Sequence, residues 1–387
     1  MWRHIASNAL TFLILGLFLL AGVIAWGTRQ YESAGPLDQA ICLKVVSGSN
    51  MRQVSEDLVS QGAISSGTIF RLGADYSERA SQLKAGSFLV PEAASMEDIL
   101  VSITGSGQST CGTEVIYRIG INRTLIEVRE LDPASNRFVE VAEFNPAEEE
   151  APAEYEAVKQ DSDTRYRIAL AEGVTSWQIA NALNGLDVLE GEIAEVPAEG
   201  TLAPDSYDFA PGTSPTVLID EMRIAQSERL ATAWANRADD LPIETPEEAL
   251  ILASIVEKET GVPDERFDVA SVFVNRLRRG MRLQTDPTVI YGITRGEGVL
   301  GRGLRQSELR RETPWNTYVI DGLPPTPIAN PGLDAIEATL NPDETDYIFF
   351  VADGTGGHAF ATNLDDHNRN VAEWRRIEAE RAEANGN

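Results

Sequence analysis

The chain has 387 residues, of which 43% are hydrophobic and 24% are charged, a composition typical of a globular protein with room for two or three domains. Its formal net charge is −28 at pH 7. Because phosphate binding requires clusters of Lys and Arg, and no such cluster stands out, we do not expect nucleic acid as a partner.

An apolar segment lies near the amino terminus. Residues Ala9 to Gly27 carry no charge and approach the roughly 20 residues that a helix needs to cross a bilayer. A cleavable signal peptide is the alternative, but the apolar run is longer than a usual signal core and VIAWG is a poor cleavage site. We therefore expect a cytoplasmic tip over 1–8, a single transmembrane helix over 9–27, and export of the rest of the chain.

After a polar linker over 28–40, two segments show a similar succession of strand, turn and helix. The first covers 41–105 and includes AGSFLVPEAASMEDIL, and the second covers 166–235 and includes EGTLAPDSYDFAPGTSPTVLIDEM. We interpret them as two small α+β units related by an approximate internal repeat. Such units resemble LysM peptidoglycan-binding modules, and a generic α+β scaffold is the alternative.

The segment between these units, 106–165, is predicted to be a β-rich acidic insertion. Apolar and polar residues alternate on both sides of DPASN, which indicates strands joined by a turn. The Ala-, Glu- and Pro-rich run that follows is typical of a solvated, mobile loop.

Cysteine and histidine are scarce. Cys42 and Cys111 are the only cysteines, and an exported domain would allow them to form a disulfide, although two separate buried thiols are equally compatible with the sequence. The histidines are His4, His358 and His367. We therefore expect no metal site of the His/Cys type.

LPIETPEEALILASIVEKETGVP contains the start and stop signals of a helix over 246–260. Thr245 can cap the helix, Pro246 suits its first position, and Glu248 would complete a capping box. Gly261 is expected to end the helix in a left-handed conformation.

Two glutamates lie in the last turn of this helix. Leu252, Ile255, Val256 and Glu259 follow the helical period and form one apolar stripe. Glu257 lies about 200° around the axis from Glu259. We therefore expect Glu259 to lie on the buried face, and Glu257 to point toward solvent or toward a Lys or Arg.

A carboxyl group on an apolar face is desolvated, which raises its pKa, and the negative end of the helix dipole acts in the same direction. A carboxyl group that keeps its proton near neutral pH can serve as a general acid. The alternative is an internal salt bridge, for example to an arginine of NRLRRG.

Several long motifs then appear in order: ASIVEKET, FDVASVFVNRLRRGMRLQTDPTVIYGI, TPWNTYVIDGLPPTPIANPG and YIFFVADGTGGHAF. Together they resemble the endolytic murein transglycosylase family, also called MltG-like or YceG-like, densely over 245–370. The resemblance implies an α+β protein whose mixed α/β catalytic domain covers 236–387. It also implies that Glu259 is the catalytic residue and that Glu257 supports it.

The chain departs mildly from the family pattern. Trp315 stands where Tyr is common, Thr326 stands where Gly is expected, and the segment of about 106–160 has no clear counterpart. None of these departures touches the catalytic helix.

The motif after the second helix, DVASVFVNRLRRG, supplies polar side chains beside an aromatic ring, as saccharide recognition requires. We expect Gln284, Thr285, Asp286 and Tyr291 to line a sugar cleft. Asp286 precedes a proline, so a simple helix N-cap is the alternative for this residue.

Two further motifs are expected to reach the same cleft. PWNTY contributes Asn316 as the preferred polar group, whereas Tyr318 is equally compatible with core packing. YIFFVADGTGGHAFATN is predicted to form a β-hairpin, and the resemblance suggests that His358 and Asn363 contact substrate. A purely structural His358 is the alternative.

The resemblance implies cleavage of the β-1,4 bond between MurNAc and GlcNAc in peptidoglycan, with formation of a 1,6-anhydro end and without a metal or organic cofactor. It places the catalytic domain in the periplasm, anchored in the bacterial inner membrane. The implied partners are peptidoglycan glycan strands and cell-wall synthases of the division or elongation machinery. A non-catalytic peptidoglycan-binding scaffold is the main alternative, and a metal-dependent hydrolase is a more distant one.

Overall fold

The computed structural model describes residues 2–105, 110–159, 161 and 164–385 of the chain. It is a mixed α+β protein, as predicted from the sequence. Two compact units can be distinguished. Unit 1 comprises Met1–Ile116, Glu127–Phe144 and Glu149–Tyr166, and unit 2 comprises Tyr117–Ile126, Asn145–Glu148 and Arg167–Asn387.

The amino-terminal helix α1 covers Trp2–Glu32. Within the described residues, α1 alone is long and apolar enough to cross a membrane, over a window at Leu13–Glu32 with a hydropathy of 1.5. The helix extends beyond the predicted end of the span at Gly27, so the first residues of the expected linker are helical. Tyr31 packs against the core of unit 1 and Leu37 is buried there, so these residues of the predicted linker are held against the unit.

After α1, unit 1 continues with two strands that enclose two helices and precede a third. These elements are β1 (Ile41–Val45), α2 (Met51–Ser60), α3 (Gly67–Tyr76), β2 (Gly86–Val90) and α4 (Met96–Thr104). The strands pair antiparallel, with Leu43 opposite Phe88. Both side chains are buried together with Phe70 and Leu100, and this shared core holds the helices against the hairpin.

Cys42 and Cys111 form a disulfide, with a Cα–Cα distance of 5.7 Å. The sequence left this pairing open. The bond joins β1 to the segment that precedes the next strand, across a separation of 69 residues.

A five-stranded sheet follows in the chain. Its strands are β3 (Thr113–Ile119), β4 (Thr124–Asp132), β5 (Arg137–Phe144), β6 (Arg165–Leu170) and β7 (Ser206–Phe209). Two helices lie between these strands in the chain, α5 (Ala153–Val158) and α6 (Ser176–Asn184). The strand order is β5-β4-β3-β6-β7. The predicted turn at DPASN joins β4 to β5, and the Asp132 carboxylate accepts a hydrogen bond from the Ala134 amide at 3.1 Å.

The acidic run after β5 is not entirely a loop, because it contains the short helix α5. Tyr155 of this helix is buried, and its ring lies 5.2 Å from that of Phe144 in an edge-on contact. The loop prediction is therefore wrong for α5, since one aromatic residue in the run suffices to fix a turn of helix to the protein. Residues 160, 162 and 163 of the run lie outside the described residues.

The two segments predicted as a repeat differ in their helices. Two helices, α2 and α3, lie between β1 and β2, whereas α6 alone lies between β6 and β7. Each segment closes with a helix, α4 in the first and α7 (Pro215–Ala235) in the second.

The remaining elements belong to unit 2. They are α8 (Pro246–Glu259), α9 (Arg266–Arg278), α10 (Asp286–Thr294), α11 (Gln306–Leu309), α12 (Leu333–Leu340), β8 (Phe349–Ala352), β9 (His358–Ala361) and α13 (Leu364–Asn385). α8 packs against α7, α9 and α12, and the apolar side chains between them form one buried cluster. β8 and β9 pair antiparallel, which confirms the predicted hairpin.

Candidate active site

Helix α8 begins as predicted and ends one residue earlier. The Thr245 hydroxyl accepts a hydrogen bond from the Glu248 amide at 3.2 Å, and Pro246 is the first helical residue. The Glu248 carboxylate accepts from the Glu244 amide, so the predicted capping box is not closed. Thr260 is already extended, with φ −134°, and Gly261 does not adopt the left-handed conformation expected of it.

Glu259 is the last residue of α8. It continues the stripe of Leu252, Ile255 and Val256, whose side chains are fully buried, and its own side chain is partly buried. The Thr285 hydroxyl donates a hydrogen bond to Glu259 Oε1. The orientation inferred from the helical period therefore agrees with the structure.

Burial raises the pKa of the Glu259 carboxyl. The hydrogen bond from Thr285 opposes this effect, and the nearby Asp286 carboxylate reinforces it. Coulombic interactions with His358 and Arg276 act in the lowering direction. The net direction is upward, as a general acid requires.

No salt bridge holds Glu259 among the residues that the structure describes. Arg276 is the nearby arginine of NRLRRG, but its guanidinium donates to the backbone carbonyls of Ile348, at 2.7 Å, and Leu283. The guanidinium therefore fixes the chain around the site and leaves the carboxyl of Glu259 without a paired cation.

Thr285 is positioned by two other buried threonines. Its amide donates to the hydroxyl of Thr317 at 3.1 Å, and the hydroxyls of Thr288 and Thr317 lie 2.8 Å apart. The Thr288 hydroxyl also lies 2.7 Å from the carbonyl oxygen of Thr285. Sequence reasoning missed Thr288 and Thr317, because a threonine in a helix or loop carries no signal of what its hydroxyl contacts.

Asp286 is not the N-cap of α10. The N-cap is Thr285, and Asp286 is the first helical residue, whose carboxylate accepts a hydrogen bond from the Tyr318 hydroxyl at 2.7 Å. Burial and this hydrogen bond raise the pKa of Tyr318. Gln284 is exposed and its backbone is in a left-handed conformation, with φ 49°. Its backbone N–H donates a hydrogen bond to the Thr317 carbonyl.

Glu257 makes no salt bridge among the described residues, although Arg266 and Lys258 act on its carboxylate electrostatically. It is partly buried, and its carboxylate accepts a hydrogen bond from the amide of Gly332, the N-cap of α12, at 2.9 Å. Burial raises its pKa. The positive end of a helix dipole favours a carboxylate at this place, so the contact stabilises the packing of α8 on α12.

Tyr291 belongs to a second cluster on α10. Its hydroxyl donates to Glu199 Oε2 at 3.2 Å, and its ring lies 5.8 Å from that of Trp315. The guanidinium of Arg295 lies over the ring of Trp315, 3.9 Å from its centroid. Glu199, whose pKa is raised by burial, also accepts from the Ser176 amide, and no sequence motif pointed to it.

Two predicted substrate contacts are occupied by structural hydrogen bonds. Asn316 is fully buried, and its side-chain amide donates to the carbonyls of Glu308, Leu309 and Arg311. Asn363 is exposed and caps α13 by accepting from the Asp366 amide at 2.9 Å. The structure does not bring either side chain into contact with Glu259.

His358 is the first residue of β9. Its ring Nδ1 lies 2.7 Å from Glu265 Oε2, and the ring makes an edge-on contact with Phe350. Hydrogen bonds join Glu259 to Thr285 and Asp286 to Tyr318, and His358 acts on Glu259 electrostatically, whereas Tyr291 lies in the neighbouring cluster around Glu199.

A shallow groove of about 410 Å³ lies elsewhere in unit 2. The tip of the β3–β4 hairpin and the end of β6 line it, including Arg118, Asn122 and Arg123. None of the predicted site residues contributes to its lining.

The chain resembles proteins from several bacteria. The endolytic murein transglycosylase of Streptococcus pneumoniae is 30% identical over 381 residues, which cover 96% of this chain and 65% of that protein. The endolytic murein transglycosylase of Bacillus subtilis is 37% identical over 174 residues, covering 45% of this chain and 47% of that protein. This chain therefore corresponds to only part of the length of each relative.

A crystal structure of a yceG-like protein from Listeria monocytogenes shares 25% identity, covers 86% of this chain and 99% of that chain, and has a TM-score of 0.45. The model of the YceG-like family matches residues 43–373, which is most of the chain and includes every element around Glu259. The chain belongs to the YceG-like family.

Proposed function

We propose that this protein is an endolytic peptidoglycan transglycosylase that cleaves the β-1,4 bond between MurNAc and GlcNAc. The observation that carries the proposal is the state of Glu259, a partly buried carboxyl group with a raised pKa that, among the described residues, has one hydroxyl donor and no paired cation. The names of the relatives in Streptococcus and Bacillus support the same activity.

In the first step, Glu259 donates its proton to the glycosidic oxygen as the bond to the anomeric carbon breaks. The Thr285 hydroxyl holds Oε1, and among the described residues Oε2 has no hydrogen-bond partner, so Oε2 is the oxygen available to carry the proton. Departure of the protonated oxygen leaves an oxocarbenium-like sugar.

In the second step, the 6-hydroxyl of the same MurNAc attacks the anomeric carbon and closes the 1,6-anhydro ring. Its proton passes to the Glu259 carboxylate, which restores the starting state. Ordinary glycosidases need a second carboxylate to activate water or to form a covalent intermediate. An internal nucleophile removes that need and gains effective concentration, so one carboxyl and no cofactor suffice.

The contacts around Glu259 also suggest how substrate is held. Gln284 and Asp286 are exposed beside Thr285, and we assign them, with His358 and Tyr291, to binding of sugar hydroxyls. Tyr318 joins this group through its hydrogen bond to Asp286. Asn316 and Asn363 are assigned structural roles instead, because their side chains already hold the backbone.

We further propose that α1 anchors the protein in the bacterial inner membrane, with its amino terminus in the cytoplasm and unit 2 in the periplasm. The disulfide between Cys42 and Cys111 supports this orientation, because disulfides persist in oxidising compartments. The order β1-α2-α3-β2 supports a LysM-like role in glycan binding for unit 1. Cell-wall synthases of the division or elongation machinery are the proposed partners, since these enzymes supply nascent strands.

The test is digestion of peptidoglycan sacculi by the full chain in detergent, followed by mass spectrometry of the fragments. We expect 1,6-anhydro ends from internal cleavage, and no cleavage by Glu259→Gln. Hydrated reducing ends would indicate a muramidase, and sacculi that are bound but never cut would indicate the scaffold alternative. Glu228→Gln, at an exposed position of α7, is the matched control.

A further inference from the structure

The carboxylate of Glu265 contacts His358 with both of its oxygens. Oε2 lies 2.7 Å from the imidazole Nδ1, and Oε1 accepts a hydrogen bond from the His358 amide at 2.9 Å. Both side chains are mostly removed from solvent, with exposed fractions of 16% for His358 and 19% for Glu265. A carboxylate accepts hydrogen bonds, so this contact fixes Nδ1 as the donor.

The glycine-rich turn before His358 is shaped to admit that carboxylate. A Cβ on Gly357 would lie 2.3 Å from Glu265 Oε1, so any side chain at this position would displace the carboxylate. Asp353 closes the turn by accepting from the amides of Thr355, at 2.7 Å, and Gly357, at 3.3 Å. The GGH motif therefore presents His358 to Glu265.

The imidazole is held at its ring edge as well. Phe350 makes an edge-on contact with it, with 5.2 Å between the ring centroids, and His358 interacts electrostatically with Glu259. When Nδ1 carries the proton of the neutral ring, Nε2 presents a lone pair. Among the described residues, Nε2 has no hydrogen-bond partner, so its lone pair is available to a ligand.

We propose that Glu265 is a positioning residue that holds His358 in the Nδ1–H tautomer, so that Nε2 accepts a hydrogen bond from a sugar hydroxyl bound beside Glu259. The inference rests on the proposed function for the identity of the ligand. Its structural half, the tautomer set by Glu265, stands independently of activity.

The tautomer can be measured by nitrogen-15 NMR of the histidines in the full chain in detergent. The sequence contains three histidines, and a His358→Gln variant identifies the signal of interest by its loss. We expect the Nδ1–H tautomer in the wild type at pH 8. In Glu265→Gln, the amide can keep the backbone contact only by turning its NH₂ group toward Nδ1, so we expect a shift toward the Nε2–H tautomer. A wild-type ring in the Nε2–H tautomer, or a tautomer unaffected by Glu265→Gln, would overturn the inference.

The second measurement is a double-mutant cycle on sacculus cleavage. Loss of one hydrogen bond to substrate is expected to lower kcat/KM about tenfold to a hundredfold in Glu265→Gln and in His358→Gln. Because Glu265 acts through His358, the double variant should be no slower than His358→Gln alone. If the two single substitutions lower kcat/KM by factors that multiply in the double variant, Glu265 does not act through His358. A wild-type protein that cleaves nothing would overturn the proposed function, whereas the NMR result alone decides the role of Glu265 in setting the tautomer.

Discussion

Glu257 and Glu259 lie two residues apart on the same helical turn and show how differently one helix can use two carboxyl groups. Burial raises the pKa of both. Glu257 accepts a backbone hydrogen bond from Gly332 at the start of α12, whereas Glu259 receives the hydroxyl of Thr285. The first contact joins α8 to α12, and the second joins α8 to the residue before α10; among the described residues, each carboxyl is held through one of its two oxygens.

This difference shows that a raised pKa does not by itself identify a catalytic carboxyl. Desolvation acts on both glutamates, so the distinguishing feature is what each carboxyl oxygen contacts. A carboxylate engaged by a helix N-terminus has a packing role, and one held by a single hydroxyl donor beside Asp286 and His358 can exchange its proton with a ligand. Substitution of each glutamate by glutamine distinguishes the two roles.

The largest effect is expected for Glu259→Gln, which keeps the shape of the side chain and removes its proton. General acid–base catalysis contributes about 10²- to 10⁴-fold, so we expect cleavage of sacculi to fall by at least that factor. This loss of activity is measured as the rate at which 1,6-anhydro ends form. Cleavage that stays within threefold of the wild type would contradict the assignment.

The next effect is expected for Thr285→Val, which removes the hydroxyl donor from Oε1. Since a hydrogen bond to a neutral group contributes about 0.5–1.5 kcal/mol, we expect kcat to fall by roughly twofold to tenfold. Thr285→Ser keeps the hydroxyl and should recover most of the activity. Equal activities of the Val and Ser variants would show that the hydroxyl does not position Glu259.

A pH-dependent stability difference should follow from the raised pKa of Glu259. The folded protein binds this proton more tightly than the unfolded chain, so stability is lost as pH rises through the folded pKa. Glu259→Gln has no ionisable proton at this position, so it does not lose this stability as the pH rises. We expect the Tm of Glu259→Gln minus the Tm of the wild type to be more positive at pH 8 than at pH 4. A difference that is constant across this range, measured beside Glu228→Gln, would show that burial does not affect the proton of Glu259.

The smallest effect is expected for Glu257→Gln. The amide oxygen can still accept the hydrogen bond from Gly332, so we expect activity within about threefold and a free energy of unfolding within about 1 kcal/mol of the wild type. Cleavage assays and urea unfolding measure these quantities. A loss of activity as large as that of Glu259→Gln would reverse the comparison between the two glutamates.

The sequence predicted the features of the site that depend on local period and chain order. The orientation of Glu259 follows from the spacing of Leu252, Ile255 and Val256, and the β8–β9 hairpin follows from its apolar strands and glycine turn. The start of α8 at Thr245 and Pro246 was also predictable, because a cap is read from adjacent residues.

Contacts between distant segments were not predictable in this way. Glu257 was expected to face solvent, or a Lys or Arg, because the helical period says nothing about α12, whose N-cap Gly332 lies 75 residues later. Asn316 was expected to bind substrate because an amide beside aromatic residues suits sugar, yet three backbone carbonyls occupy it. Neither Glu199 nor Glu265 was singled out by a sequence motif, because the contacts of both residues form only when distant segments of the chain fold together.

The central claim is that burial raises the pKa of the Glu259 carboxyl above that of an exposed glutamate, and infrared difference spectroscopy tests it most directly. The carbonyl stretch of a protonated carboxylic acid is separate from that of a carboxylate, so the spectrum of the wild type minus that of Glu259→Gln isolates this group. We predict that the protonated carboxylic acid band persists to a higher pH than that of a solvent-exposed glutamate and disappears as the pH is raised further. A band that disappears at the pH expected of an exposed glutamate would contradict the account.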